Sequence, residues 1–250
     1  MNFAIVNEST DPDLTEAVLR NIASAIEDQL YNHFGPMHQV EGIPLRIAGT
    51  IHEVTRDECA IVIFDTSDSP GALGYHAVSP NGRPYSRVFW KTIKENGGTI
   101  CTSANSLSVT ISHEALEAAK DPYVNEWADM GDGKTEEAKE LCDRVENDAY
   151  EMPGTGVWVS NFLGPRAFRA GAGPYDYMGL TTAPFEIRPG GYCIRREGGP
   201  QGDVKQVYGA GYPQWKRDMK SHPASRTSKR HSLYKKYTSF DVEHPTESGT

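Results

Sequence analysis

The chain has 250 residues, a formal net charge of −9 and 38% hydrophobic residues. That length holds one domain of ordinary size, or a domain with an appendage. The acidic balance argues against nucleic acid as a partner, and no apolar run approaches a membrane span. Mean hydropathy is −0.55, and 24 Gly with 16 Pro imply many turns. Cys59, Cys101, Cys142 and Cys193 are far apart with no C-x-x-C, which excludes a cysteine zinc cluster and leaves reduced, buried thiols as the expectation.

Phe3 to Val6 is a short apolar run that reads as an edge strand. Asp11-Pro12 reads as N-cap and first helical position. Leu14, Val18, Ile22, Ala25 or Ile26, and Leu30 then recur at helical spacing, which predicts a long amphipathic helix ending at Gly35-Pro36. Leu45 and Ile47 alternate with polar neighbours as in a strand. Cys59 to Phe64 is a continuous apolar run, the mark of a central strand buried on both faces. Ala72 to Val78 and Tyr85 to Trp90 flank the turn Pro80-Asn81-Gly82-Arg83, as in a hairpin at a sheet edge. His76 falls in this region and reads as a surface or packed histidine without a metal role.

Ser106 to Asn125 is predicted to be a helix capped by Ser108 or Thr110 and ended by Asp121-Pro122. It carries His113-Glu114-x-x-Glu117. Residues four apart share a helix face, so His113 and Glu117 aim at one spot, with Glu114 about 100° round the axis. Two ligands one turn apart and a glutamate beside them are what a helix needs to hold a zinc ion and activate its water. Glu stands where the second His of such helices is usual, and a carboxylate is an acceptable zinc ligand.

Downstream, Asp129 to Lys134 is a turn-rich loop without the spacing of a calcium loop. Thr135 to Asn147 reads as a charged helix, with Glu140 and Asp143 on one face. By itself such a run is a solvated face. Val157 to Phe162 alternates as a short strand. Tyr175 and Tyr177 are weighed as oxyanion partners against plain packing. From Pro213 the chain turns basic, Ser-rich and poor in branched apolar residues, which predicts an irregular arm.

The ordered motifs resemble a family of zincin-type metalloproteins of bacteria and phages. They are Ser108-Val109-Thr110, Ser112-His113-Glu114, Glu117, Asp121-Pro122 and Asn125, followed by Glu140-Leu141-Cys142-Asp143 and Gly156-Val157-Trp158-Val159-Ser160-Asn161-Phe162. Tyr175-Asp176-Tyr177-Met178-Gly179, Ala183-Pro184-Phe185-Glu186 and Gly190-Gly191-Tyr192 extend the likeness through most of the chain. The pattern is more distantly similar to plant phosphate-induced (EXORDIUM-type) proteins. The resemblance implies that Glu140 or Asp143 completes the metal set, the other orienting His113; Cys142 between them fits a buried structural thiol better than a ligand.

The expected fold is α+β and zincin-like. It has a twisted mixed sheet, a long N-terminal helix and a metal-binding active-site helix over residues 1–212, and a basic arm over 213–250. The expected function is a zinc-dependent hydrolase, a peptidase in its simplest form, with His113, Glu117 and Glu140 or Asp143 as ligands and Glu114 as general base. Its partner would be a peptide or protein substrate. The alternative is a structural or binding protein, such as a virion component, assembling through the arm. Met1 to Asn7 lacks the basic and long apolar regions of a signal peptide, so the expected location is the cytoplasm or a virion.

Overall fold

The computed structural model describes residues 1–221. Its first strand, β1 (Asn2–Asn7), is followed by helix α1 (Glu16–Asp28), a π-helical stretch Gln29–Phe34 and the short helix α2 (Gly35–His38). Strands β2 (Leu45–Ala48), β3 (Glu58–Phe64), β4 (Gly74–Val78) and β5 (Pro84–Phe89) come next. These five strands form one mixed sheet in the order β2-β1-β3-β5-β4. All neighbours are parallel except β4, which pairs antiparallel with β5 at the edge.

Helix α3 (Trp90–Glu95) leads to α4 (Leu107–Lys120). Beyond it, β6 (Trp127–Asp129) and β7 (Thr135–Ala138) form a hairpin, and β8 (Ala149–Glu151) pairs with β9 (Trp158–Ser160). Strands β10 (Tyr192–Glu197) and β11 (Asp203–Tyr208) close a second, antiparallel sheet in the order β11-β10-β7-β6. The last described element is helix α5 (Gln214–Ser221). The architecture is α+β, with a mixed sheet and a long N-terminal helix. No helix among the described residues is long and apolar enough to cross a membrane.

Period-2 alternation divides the sheet between two cores. Phe3, Ile5, Cys59, Ile61 and Ile63 face the main core with Ile22, Ile26 and Leu30 of the N-terminal helix and Ile111, Ala115 and Leu116 of α4. Ala4, Val6, Ala60 and Val62 face a smaller cluster on the other side. β1 is therefore interior, not the edge strand expected of it. Four successive apolar residues buried on both faces are what an inner parallel strand requires.

The helix ends also differ from expectation. α1 starts at Glu16, where Thr15 Oγ1 accepts a hydrogen bond from Val18 N. Asp11 instead takes part in a turn, accepting from Trp90 Nε1 and Lys94 Nζ. Gly35-Pro36 does not stop the helical path, because proline is tolerated in the first turn of a new helix. The stop comes at Gln39, with φ 57°. Residues 135–147 are not a helix. The charged side chains of β7 serve ion pairs instead: across the strands Glu136 with Arg196 at 2.7 Å and Glu137 with Arg195 at 3.0 Å, and Glu137 also with Arg144 of the following turn at 3.0 Å. The start of the basic arm forms α5, with Lys216 against Glu146 at 3.2 Å. Its remainder, residues 222–250, and the assembly role expected of it lie outside the described residues.

One partly exposed ion pair ties β2 to β3. Arg46 Nε and Nη2 donate to Glu58 at 2.6 and 2.8 Å, and Thr55 N adds a third bond at 2.8 Å. Arg46, opposed by burial and helped by Thr55, holds the Glu58 carboxyl at about 2, below the usual 4.5. A carboxyl depressed on folding stabilises above its unfolded pKa, and that contribution is lost as pH falls towards the folded value. Urea unfolding of wild type and Glu58→Gln should therefore differ clearly at pH 7. The difference should shrink between about pH 5 and pH 2.

Candidate metal centre

Helix α4 is fixed at both ends and along one face. Ser106, not Ser108 or Thr110, is its N-cap, accepting from Val109 N at 3.3 Å. Ser108 is inside the helix and donates to Trp158 O at 2.6 Å. One turn on, Ser112 Oγ accepts from Ser160 N at 3.1 Å and donates to Gln29 Oε1 at 2.6 Å. The two serines thus bind α4 to β9 and to the N-terminal helix. At the C-terminus, Asp121 caps as expected and accepts from Asn125 N and Glu126 N, fixing the exit of the chain.

With that face anchored, His113, Glu114 and Glu117 point elsewhere. His113 Nε2 lies 3.3 Å from Glu117 Oε1 and 3.5 Å from Asp143 Oδ1. These three residues place their ligand atoms within 4.8 Å of one another and can hold a metal ion. The separations support the fit. Charge-assisted N–H···O bonds run about 2.7–2.9 Å. Two donors each about 2.0–2.1 Å from one tetrahedral ion stand roughly 3.3 Å apart.

Asp143 reaches this place from a 3₁₀ turn, Asp143–Val145, that two features hold down. Arg144 is 1% exposed; it pairs with Glu137, donates to Ala167 O at 3.0 Å and lies over the Phe168 ring. Behind the turn runs Gly190-Gly191. A Cβ on Gly191 would stand 2.4 Å from Arg144 O, so only glycine lets the chain pass there. Cys142 contributes its backbone N–H, which donates to Glu117 Oε1 at 3.2 Å. Its thiol is buried, and burial pushes its pKa well above the usual 9.

The structure separates Glu140 from Asp143. Glu140 stands not with His113 but with His76, whose Nε2 is 3.7 Å from Glu140 Oε2. His76 Nδ1 is 3.4 Å from Glu117 Oε2 and 3.7 Å from Glu114 Oε2. His76 is 2% exposed, so the surface reading fails; it is packed, but against carboxylates. No local pattern marks it. It lies opposite Ser86 in the β4–β5 register, and that pairing carries it over α4. Tyr175 and Tyr177 take no part. Tyr175 Oη donates to Gly171 O, and Tyr177 stacks on His33 and Phe162. The tyrosines that border the cleft are Tyr75 on β4 and Tyr192, which follows the two glycines.

Burial alone would lower the basicity of both imidazoles. Glu117, with Cys142 and Asp143, instead holds His113 well above the usual 6.5. Glu140, Glu114 and Glu117 likewise raise His76 to about 9. The Glu117 carboxyl, which burial would raise, is held well below its usual 4.5 by the two histidines. Above these groups opens a cavity of about 430 Å³, bordered by Gly74 and His76 on β4 and by Glu114 on α4. Glu114 is 4% exposed, and its Oε2 has no hydrogen-bond partner among the described residues.

The chain matches no protein-family model, no curated protein and no solved structure.

Close approach of β4 to α4 depends on Gly74. A Cβ there would stand 2.7 Å from Thr110 Cγ2 and 2.8 Å from Glu114 Oε1. Gly74→Val should therefore force strand and helix apart and lower stability by about 1–3 kcal/mol, the usual cost of overpacking. Urea unfolding of the metal-free protein measures it.

Proposed function

We propose that the protein is a zinc-dependent hydrolase of zincin type, acting on peptide or protein substrates. The observation that carries this reading is Glu114. It is a buried carboxylate, the residue next to His113, whose Oε2 accepts no hydrogen bond among the described residues and lies 3.7 Å from His76 Nδ1, beside a set of metal-binding side chains at the floor of a cleft.

His113, Glu117 and Asp143 would hold the zinc; an imidazole with two carboxylates suits it, though the same set admits manganese. Zinc bound there supplies Lewis acidity and brings the pKa of a coordinated water towards about 7. The chain's own part is positional. Glu117 Oε1 is fixed by the Cys142 N–H, and Asp143 by its anchored turn. Glu114 Oε2 takes a proton at the cleft floor and returns it to the leaving group. Among the described residues β4 pairs with β5 on one side only, so its other edge offers a row of backbone groups to an extended peptide. In zincins an edge strand above the metal helix binds substrate in this manner, and the antiparallel position of β4 next to α4 supports the analogy.

Elemental analysis of protein purified without chelator should find at least one zinc per chain. Less than about 0.2 per chain, with no thermal shift on adding zinc, would sink the proposal, because 100-fold excess over Kd stabilises by about 2.7 kcal/mol. Glu114→Gln keeps the shape and removes the basicity. It should retain metal and melting temperature while lowering turnover by about 10²–10⁴-fold. His113→Ala should lose the metal and the stability linked to it. A fully metallated wild type that cleaves nothing in a broad peptide library would favour a non-catalytic structural protein instead.

A further inference from the structure

Glu117 presents its two oxygens to two different histidines. Oε1 faces His113, which also meets Asp143, while Oε2 faces His76, and Glu140 stands on the far side of that ring. His76, Glu117 and Glu140 place ligand atoms within 4.8 Å of one another, and all three are buried. We propose that the protein binds a second divalent cation through His76, Glu117 and Glu140, so that Glu117 bridges two metal ions. The inference rests on the metal-centre reading above and extends it from one ion to two.

Three observations support it. The first is charge. Glu114, Glu117, Glu140 and Asp143 are each 5% exposed or less. When ionised they carry four negative charges within one small volume. One divalent cation neutralises two of them, and two cations neutralise all four with both imidazoles neutral. The cation Lys216 at the cavity wall is already engaged with Glu146 at 3.2 Å. Charges removed from water must be matched nearby, because the desolvation penalty is several kcal/mol per ion.

The second observation is spacing. His76 Nδ1 lies 3.4 Å from Glu117 Oε2 and 3.7 Å from Glu114 Oε2, while Glu140 Oε2 lies 3.7 Å from the other ring nitrogen, Nε2. The Nδ1–Glu117 separation is longer than the usual charge-assisted hydrogen bond and near the span between two donors on one ion, and Glu140 keeps a ligand atom within 4.8 Å of the other two residues'. The third is Glu114 Oε2, buried and without a hydrogen-bond partner, 3.7 Å from His76 Nδ1. It stands beside the His76 set at the floor of the cavity. A carboxylate bridging two ions about 3.5–4 Å apart is the usual arrangement of two-metal hydrolases, where the pair clamps both the attacking and the leaving oxygen. His76 as an imidazolium, replacing the second ion, is the competing explanation of the same geometry.

Metal counting separates the two. The full-length chain, stripped and then titrated with zinc or manganese, is freed of unbound metal and assayed by elemental analysis. Wild type should hold two ions per chain. Glu140→Gln and His76→Gln, each verified as folded by circular dichroism, should hold one. Manganese-loaded wild type should give the electron paramagnetic resonance spectrum of a spin-coupled pair, and Glu140→Gln that of an isolated ion. Saturation of wild type at one ion per chain, with an uncoupled spectrum, overturns the proposal and leaves the hydrolase reading standing. So does an unchanged count in both variants. Two ions without any hydrolysis sustains the bridged pair and removes the hydrolase. No bound metal at all removes both.

Discussion

The structure depends on holding like charges together out of water. Four carboxylates and two imidazoles meet where the edge strand β4 crosses the start of the His113–Glu117 turn of α4. In a low dielectric such a cluster repels itself unless cations or imidazolium protons intervene. Everything around it works against relaxation. Ser108 and Ser112 bind the helix to β9, Asp121 fixes its exit, and Arg144 fixes the turn that carries Asp143. An interior of interlocked apolar side chains then leaves the charged groups no alternative position.

Glu117 is the pivot of this arrangement. Its neighbours come from three separate parts of the chain: His113 one turn earlier, His76 on β4, and the Cys142 N–H with Asp143 on the downstream turn. A carboxylate that accepts from a backbone N–H has one oxygen held in place, which also holds the other. The polar contacts of the surrounding loops follow the same pattern. Asn161 and Asp176 receive backbone N–H groups of residues 162, 178, 180 and 181, and so fold the 175–181 loop onto the body without reaching the cleft.

The two sheets divide the labour. The five-stranded sheet contributes a rigid edge, because its inner strands are parallel and buried on both faces. The small antiparallel sheet, held by ion pairs between β7 and β10, contributes Tyr192, and its Glu137 anchors the acidic turn through Arg144. The cleft lies between a well-packed wall and a more polar one. That asymmetry suits a site that must fix side chains on one side and admit a polar ligand on the other.

Much of this was legible in the sequence because it rests on local periodicity. The helical repeat from Leu14 to Leu30, the apolar run at Cys59 to Phe64, the turn at Pro80 to Arg83 and the spacing of His113, Glu114 and Glu117 are all short-range patterns. Their outcome is set within a few residues by helix and strand geometry. Other features had no such signal. Residues 135–147 carry charges that suit an exposed helix, yet pairing with β10, sixty residues away, makes part of them a strand. The choice between Glu140 and Asp143 was open for the same reason: the turn geometry, not the motif, sends one to His76 and the other to His113. His76 itself is an ordinary residue of an edge strand until the β4–β5 register sets it above α4. Sequence determined which side chains share a helix face; only the tertiary structure decided which distant side chains face them, because that depends on strand order and loop closure, which no local period encodes.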